Sequence, residues 1–320
     1  MAASTAASKE AATAEAAPIQ WKDAKTLLSG AVAGVMSRTI VSPLERLKII
    51  QQTQDMLHGT SEQHKLSRNV LKGLSQMYAR DGVAGLFKGN GANAVRVAPY
   101  AALQFFAFEK FSEAYLAWTA GGAGKLGALE RLVLGGSAGV VAVTATYPLD
   151  YVRGRLSVQS SGTGAQYKGI MDALLTISRK EGPTALYRGL TTTAVGIAPY
   201  LGTNFMVFGT LKEWVCGEER PSVLTSLVLG GIAGALAQTA GYPFDSIRRR
   251  IQVDGFAAGS KRNPAMDSMF GAFRYVIRTE GMGGLYRGLF ANYSKIVPTM
   301  AVHWAVFEQM RELLGLPPKN

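Results

Sequence analysis

Three prolines in this chain are followed by the same pair of charges. "SPLERLKII" (42–50), "YPLDYVRGR" (147–155) and "YPFDSIRRR" (242–250) each place an acid two residues after the proline and a base five residues after it. The prolines are Pro43, Pro148 and Pro243, the acids Glu45, Asp150 and Asp245, and the bases Lys48, Arg153 and Arg248. Three residues apart on a helix, each acid and base lie close on one face and about a turn apart in height. The proline removes a helical hydrogen bond and bends the helix. Three bent helices arranged in a ring would converge, and each acid could then meet the base of the neighbouring unit. The chemistry this suggests is a breakable ring of ion pairs, a gate. Permanent pairs that merely hold a bundle together are the competing reading, but they need no kink, acid and base at matching height in all three places.

The elements that must hold such a ring repeat as well. Glycine pairs precede each proline by thirteen and nine residues: Gly30 and Gly34, Gly135 and Gly139, Gly230 and Gly234. Further on come Asp81-Gly82, Glu181-Gly182 and Glu280-Gly281, and after them Phe87-Lys88-Gly89, Tyr187-Arg188-Gly189 and Tyr286-Arg287-Gly288. Ten residues past those last glycines stand Pro99, Pro199 and Pro298. The chain therefore divides into three units, 21–119, 125–217 and 221–314, behind a tail (1–20) whose Ala, Ser and Thr content reads as disordered. The tail has neither the Arg-rich, acid-poor character of a transit peptide nor the apolar core of a signal peptide, so any organelle address is expected to be internal.

Each unit holds two long helix-compatible segments with a short amphipathic one between. The fold class expected is an all-α membrane protein: six transmembrane helices in three pseudo-symmetric repeats, each with a short helix at one membrane face. Segments such as "LVLGGSAGVVAVTATYPL" have about membrane length but are rich in small residues and only mildly hydrophobic. Their GxxxG spacing predicts close approach of helix backbones in lipid. A soluble helical repeat protein is the alternative. Charges inside membrane helices cost on the order of 3 kcal/mol each unless paired or hydrated, and a ring facing a water-filled pore meets that condition.

Composition narrows the remaining classes. A net charge of +12 points to acidic partners, but the bases follow the repeat instead of forming a stripe, so no nucleic acid is expected. Cys216 is the single cysteine, and His58, His64 and His303 have no ligand spacing, so neither a metal nor a cofactor is expected. No phosphate-binding loop or dinucleotide fingerprint appears, which argues against an enzyme.

Taken together, Pro-x-acid-x-x-base, acid-Gly and aromatic-base-Gly, repeated over residues 21–314, resemble the mitochondrial carrier family. The resemblance implies a multi-pass protein of the mitochondrial inner membrane, with both termini on the cytosolic side and a peroxisomal membrane as second choice. It also implies a monomer and a matrix gate made of the six charged residues above. Bound cardiolipin is implied at the short-helix ends, near Lys88, Gly89, Arg188, Gly189, Arg287 and Gly288; interfacial snorkelling of these bases is the plainer reading. The family's cytosolic gate, aromatic-acid-x-x-base, is complete only in the third repeat, as Phe307-Glu308 with Arg311. The first keeps Glu109 but has Ser112 in place of the base, and the second keeps Lys212 but has Gly209 in place of the acid.

Family substrates bind on the even-numbered helices just before Pro99, Pro199 and Pro298, which selects Arg96, Gly196, Ile197 and Lys295. Arg38 adds a third base, Tyr200 an aromatic face, and Arg249 a further cation from below. The expectation is that unpaired cations grip an anionic end while glycine leaves room for a flat ring beside Ile197 and Tyr200. Gly-Ile at this position resembles the adenine-nucleotide branch. The segments "SRTIVSPLERLKI" and "GLFKGNGANAVRVAPYAALQF" look closest to members that carry adenosine 5'-phosphosulfate and its 3'-phospho derivative. Coenzyme A carriers are near relatives, and ADP, ATP or AMP exchange is a further alternative. Absence of a calcium-binding amino-terminal domain and of a methionine run after Arg250 sets the chain apart from two other adenine-nucleotide members. Proton or fatty-acid conductance and a non-transporting membrane scaffold are the rival classes. The first needs no adenine surface, and the second needs no intact gate.

Overall fold

The computed structural model describes residues 21–58, 65–120, 126–159, 166–217, 222–256 and 262–316; the tail at 1–20 and His64 lie outside them. The described residues are helical or irregular, without strands. The helices are α1 (Trp21–Ile40), α2 (Ser42–His58), α3 (Val70–Leu86), α4 (Asn90–Ala120), α5 (Ala128–Val158), α6 (Ile170–Lys180), α7 (Leu190–Cys216), α8 (Val223–Val253), α9 (Met269–Glu280), α10 (Leu289–Ser294) and α11 (Ile296–Leu313).

Six long segments emerge once two interruptions are explained. Between α1 and α2 the path breaks at Val41, just before Pro43, yet the hydrogen bonds Val41 N to Ser37 O (3.2 Å) and Glu45 N to Val41 O (3.0 Å) carry the helix across. Between α10 and α11 it breaks at Lys295, three residues before Pro298. In both places the proline ring crowds the carbonyl four residues earlier and offers it no donor. Pro99, Pro148, Pro199 and Pro243 are instead accommodated inside continuous helices.

The long segments close into a ring. Helix α4 pairs along α5, α7 along α8, and α11 along α1, so each lengthwise pair joins two repeats and the last repeat closes onto the first. The C-terminal stretches of α5 and α8 meet each other and α2. Each short helix packs beneath the odd segment of its own repeat, α3 on α2, α6 on α5 and α9 on α8. The core therefore sits at one end of the bundle, around Leu47 and Met77, Tyr151 and Ile177, and Ile247 and Val276. The even-numbered segments contribute little to it: Ala92 of α4 and Ala291 of α10 belong to the core, Thr192 is the one buried residue of α7, and α11 has none among its described residues.

What the ring shows outward is apolar. Trp118 is 84% exposed and Trp214 87%, near the ends of α4 and α7, and Phe105, Phe106, Met206, Val297 and Met300 are exposed along the walls. Such a surface is a liability in water and suits lipid, with tryptophan at the interface. By length and apolar composition alone, only two helical stretches of the described residues pass as spans, 128–158 and 183–216. Small and polar residues dilute the others.

The GxxxG expectation needs correction. A methyl group at Gly34 would meet Val97 at 3.2 Å and one at Gly135 would just touch Phe108 at 4.0 Å, whereas Gly30, Gly139, Gly230 and Gly234 have nothing within 4 Å. These glycines lie in the N-terminal halves of the odd segments, away from the packed end.

Candidate functional site

At the packed end the three odd segments bring all six motif charges together. Arg153 bonds Glu45 at 3.0 Å, Lys48 bonds Asp245 at 2.6 Å, and Arg248 bonds Asp150 at 2.5 Å. Each pair joins a different two repeats, so the ring is closed. Two glutamines lie against it: Gln52 donates to Asp245 (3.2 Å) and Gln252 to Asp150 (3.0 Å). Both stand nine residues after their proline, and the corresponding residue of the second repeat is Ser157. That register was the signal from which the glutamines could have been found in the sequence.

Tyrosines support two of the three corners. Tyr147 and Tyr242 precede their prolines, donate to the carbonyls of Arg188 (3.0 Å) and Arg287 (2.8 Å), and lie beside Arg248 and Lys48. Those carbonyls precede Gly189 and Gly288, whose φ of +84° and +83° only glycine adopts freely. A methyl group on either glycine would also come within 2.9 Å of the tyrosine hydroxyl. The even segment thus starts hard against the odd one, and the aromatic-base-glycine motif is a joint between them.

A second set of ion pairs ties the short helices to the ring. Arg155 pairs with Glu181, Arg250 with Glu280, and Arg46 with Asp81 at 2.7 Å. Arg155 and Arg250 stand seven residues after their prolines; in the first repeat that position is Ile50, and Arg46, three after its proline, takes the role from another direction. Acid-Gly is therefore a structural anchor as well as a helix terminator: Gly82, Gly182 and Gly281 all have positive φ.

Above the ring lie the residues expected to meet a solute. A pocket of about 280 Å³ is lined by Arg38, Asn93, Arg96, Val97, Tyr100 and Arg153. Another, of about 180 Å³, has Gly196, Ile197, Tyr200 and Phe244 in its wall, with Asp245 and Arg248 at the ring. Arg38 forms no ion pair with a described residue, while Arg96 lies over the ring of Tyr100.

Four expectations change here. Arg96 and Lys295 are not unpaired: Arg96 bonds Asp150 at 3.0 Å, and Lys295 bonds Glu45. The physical reason is that a membrane cation lowers its cost by taking the nearest carboxylate, and the ring supplies it one helical step below. Arg249 does not reach the cavity; it is 4% exposed and held by Asp150 (3.1 Å) and Gln252 (2.8 Å). Gly196 does not leave open room, since a methyl group there would lie 2.8 Å from Cβ of Phe244; it lets α7 approach α8. Finally, two of the bases expected at lipid are engaged by protein, Arg188 by Glu181 (3.3 Å) and Arg287 by Asp55 and Glu280. Among the described residues Lys88 reaches only the carbonyl of Gln159, at 3.4 Å, and burial, then the nearby Arg46, lower its pKa.

At the opposite end Glu109, Lys212 and Glu308 are exposed and form no ion pair with a described residue, and Arg311 lies over the ring of Phe307. The bundle is closed at the core end by ion pairs that Glu109, Lys212 and Glu308 do not repeat with any described residue at the other.

A family profile described as "Mitochondrial carrier protein" matches three times in succession, over residues 21–117, 124–219 and 219–317. The chain belongs to the mitochondrial carrier family. Membership makes this carrier a six-helix transmembrane bundle of three repeats. It is 41% identical to the mitochondrial adenine nucleotide transporter ADNT1 of Arabidopsis thaliana, over 91% of this chain and 87% of that one. It is 35% identical to the mitochondrial carrier protein CoAc1 of Zea mays, over 99% and 94%. With the human mitochondrial adenyl nucleotide antiporter SLC25A24 it shares 36% identity over 92% of its length, spanning 59% of that longer protein.

Proposed function

We propose that this carrier exchanges adenine-bearing anions across the mitochondrial inner membrane by alternating access. The observation that carries the reading is the excess of positive charge at the ring. Arg38, Lys48, Arg96, Arg153, Arg248, Arg249 and Lys295, seven cations, share the region with three acids, Glu45, Asp150 and Asp245, which leaves four positive charges over. A phosphorylated solute supplies the missing charge through charge-assisted hydrogen bonds. The smaller pocket beside Ile197, Tyr200 and Phe244 offers a flat base an apolar wall.

The six ring residues act as the matrix gate. Glu109, Lys212, Glu308 and Arg311 form a weaker gate at the cytosolic mouth, where both termini lie. ADP, ATP and AMP come first among substrates on this reading, which similarity to relatives named for adenine nucleotides supports. Kinship with the CoAc1 proteins keeps coenzyme A in the series, and the phosphosulfates remain in it on the resemblance of the first repeat alone. Proteoliposome exchange of radiolabelled ADP, with each compound in turn as internal counter-substrate, ranks them. Arg96→Ala and Lys295→Ala are expected to abolish exchange in protein that remains folded. Wild-type uptake in either variant refutes the site, and uptake of keto acids or protons without adenine compounds refutes the substrate class.

Cardiolipin at the short-helix ends and a monomeric working unit rest on family membership. Native mass spectrometry reads both, and a dimer, or a protein that retains no cardiolipin, would overturn them.

A further inference from the structure

We propose that Gln238 is the residue that recognises the base of the solute: its side-chain amide accepts from the 6-amino group of adenine and donates to the neighbouring ring nitrogen. The inference rests on the adenine-bearing substrate class proposed above and names the group that selects it.

The register of the repeat places this residue. Gln238 stands five residues before Pro243, where Arg38 stands before Pro43 and Val143 before Pro148. One level of the bundle therefore carries a cation, an apolar side chain and an amide, one from each repeat. Arg38 lines the larger pocket beside Arg96 and Tyr100, and Gln238 lines the smaller one beside Ile197, Tyr200 and Phe244. Val143 is taken up by the packed core. A solute whose anionic end lies with Arg38 and whose base lies with Gln238 is oriented across the bundle.

Hydrogen-bonding capacity singles out Gln238 in its pocket. Asp245 and Arg248 are spent on the ring, Thr193 donates to the Gly189 carbonyl at 3.0 Å, and Thr192 is wholly buried. Gln238 is half-buried and has no hydrogen-bond partner among the described residues. Tyr200 brings a single hydroxyl, whereas the amide sets a donor beside an acceptor, the pattern that complements the amino group and adjacent ring nitrogen of adenine. An unpartnered amide within a membrane helix is costly, and the edge of a base relieves it. Gly241, one turn nearer the ring, brings the aromatic wall to this amide, since a methyl group there would lie 3.3 Å from Cβ of Tyr200. Asp245 follows Gln238 by seven residues, so the amide sits about 10 Å from the ring along the helix. Coenzyme A and the phosphosulfates keep the same 6-amino group, so Gln238 serves every adenine compound of the series and does not rank them.

The test removes each partner in turn. Isothermal titration into the detergent-purified full chain compares ADP with purine riboside 5'-diphosphate, which lacks only the 6-amino group, in the native protein and in Gln238→Leu. In the native protein loss of the amino group is expected to weaken binding by roughly tenfold, because the amide oxygen is left unpaired. In Gln238→Leu the two compounds should bind alike, with purine riboside diphosphate close to its native affinity. Equal weakening of both compounds in Gln238→Leu would mean a structural role and would overturn the proposal, as would a native protein that binds them equally or a variant that still prefers ADP. If Gln238→Leu does not fold, Gln238→Ala makes the same comparison. UDP, of the same charge, separates this inference from the one beneath it. If ADP binds no more tightly than UDP to the native protein, the adenine reading falls and Gln238 with it; if ADP is preferred over UDP but the amino group and Gln238 are not coupled, only the assignment of Gln238 falls.

Discussion

Arg46→Ala tests whether the ion pairs beneath the ring hold the short helices in place. Arg46 is 1% exposed, and its guanidinium bonds the Asp81 carboxylate at 2.7 Å, the Gly85 carbonyl at 2.7 Å and the Ser157 carbonyl at 2.9 Å. The partner side chain is 1% exposed as well. Truncation deprives a buried carboxylate of its buried cation and leaves it the more exposed Arg80 at 3.3 Å, a loss of about 3–5 kcal/mol, and takes the donor from two carbonyls in the interior. At roughly 2 °C per kcal/mol for a chain of this size, the apparent midpoint should fall by about 6–10 °C.

Lys110→Ala is the control that shows burial, and not distance, sets that size. Lys110 and Glu113 are also 2.7 Å apart, but their side chains are 55% and 56% exposed, and no measurable change is expected. Thermal unfolding of the detergent-purified protein, followed by intrinsic fluorescence or a thiol-reactive dye at Cys216, provides the assay. Adding Asp81→Asn to Arg46→Ala should recover part of the loss, because a neutral amide is less costly to bury than a carboxylate that has lost its buried cation and keeps the more exposed Arg80. A fall below about 2 °C in Arg46→Ala, or no recovery in the double variant, would refute the reasoning.

Two further outcomes follow from the geometry. Reversing Glu45 to Arg should halt exchange by setting it against Arg153 and Lys295, and adding Arg153→Glu should restore part of the uptake in proteoliposomes; equal failure of single and double variants would mean the pair does not act as a unit. Gly189→Ala meets both a φ of +84° and the Tyr147 hydroxyl at 2.9 Å, whereas Gly182→Ala meets only a φ of +89° with open space around it. Gly189→Ala should therefore lower the unfolding midpoint more than Gly182→Ala does, the latter costing about 1 kcal/mol.

The sequence by itself determined the threefold plan and which six charges form the ring. A Pro-x-acid-x-x-base motif repeated at a constant interval fixes which faces of three helices must converge, because helical periodicity alone sets the relation between acid and base. Family membership was legible for the same reason, since register survives where hydropathy fails: among the described residues only two helical stretches are apolar enough to announce a membrane span.

What the sequence could not decide is who holds whom across the bundle. Arg96 and Lys295 stand 54 and 250 residues from the carboxylates they bond, and nothing local distinguishes a free cation from one already taken. Gly196 reads as empty space until Phe244, on another helix, is found filling it. The substitution of Arg46 for an arginine at position 50 is likewise invisible in the pattern, because a buried carboxylate can be satisfied from any direction that a long side chain can reach. Three-dimensional packing decided these points, since desolvation forces each charge onto the nearest partner whichever repeat supplies it.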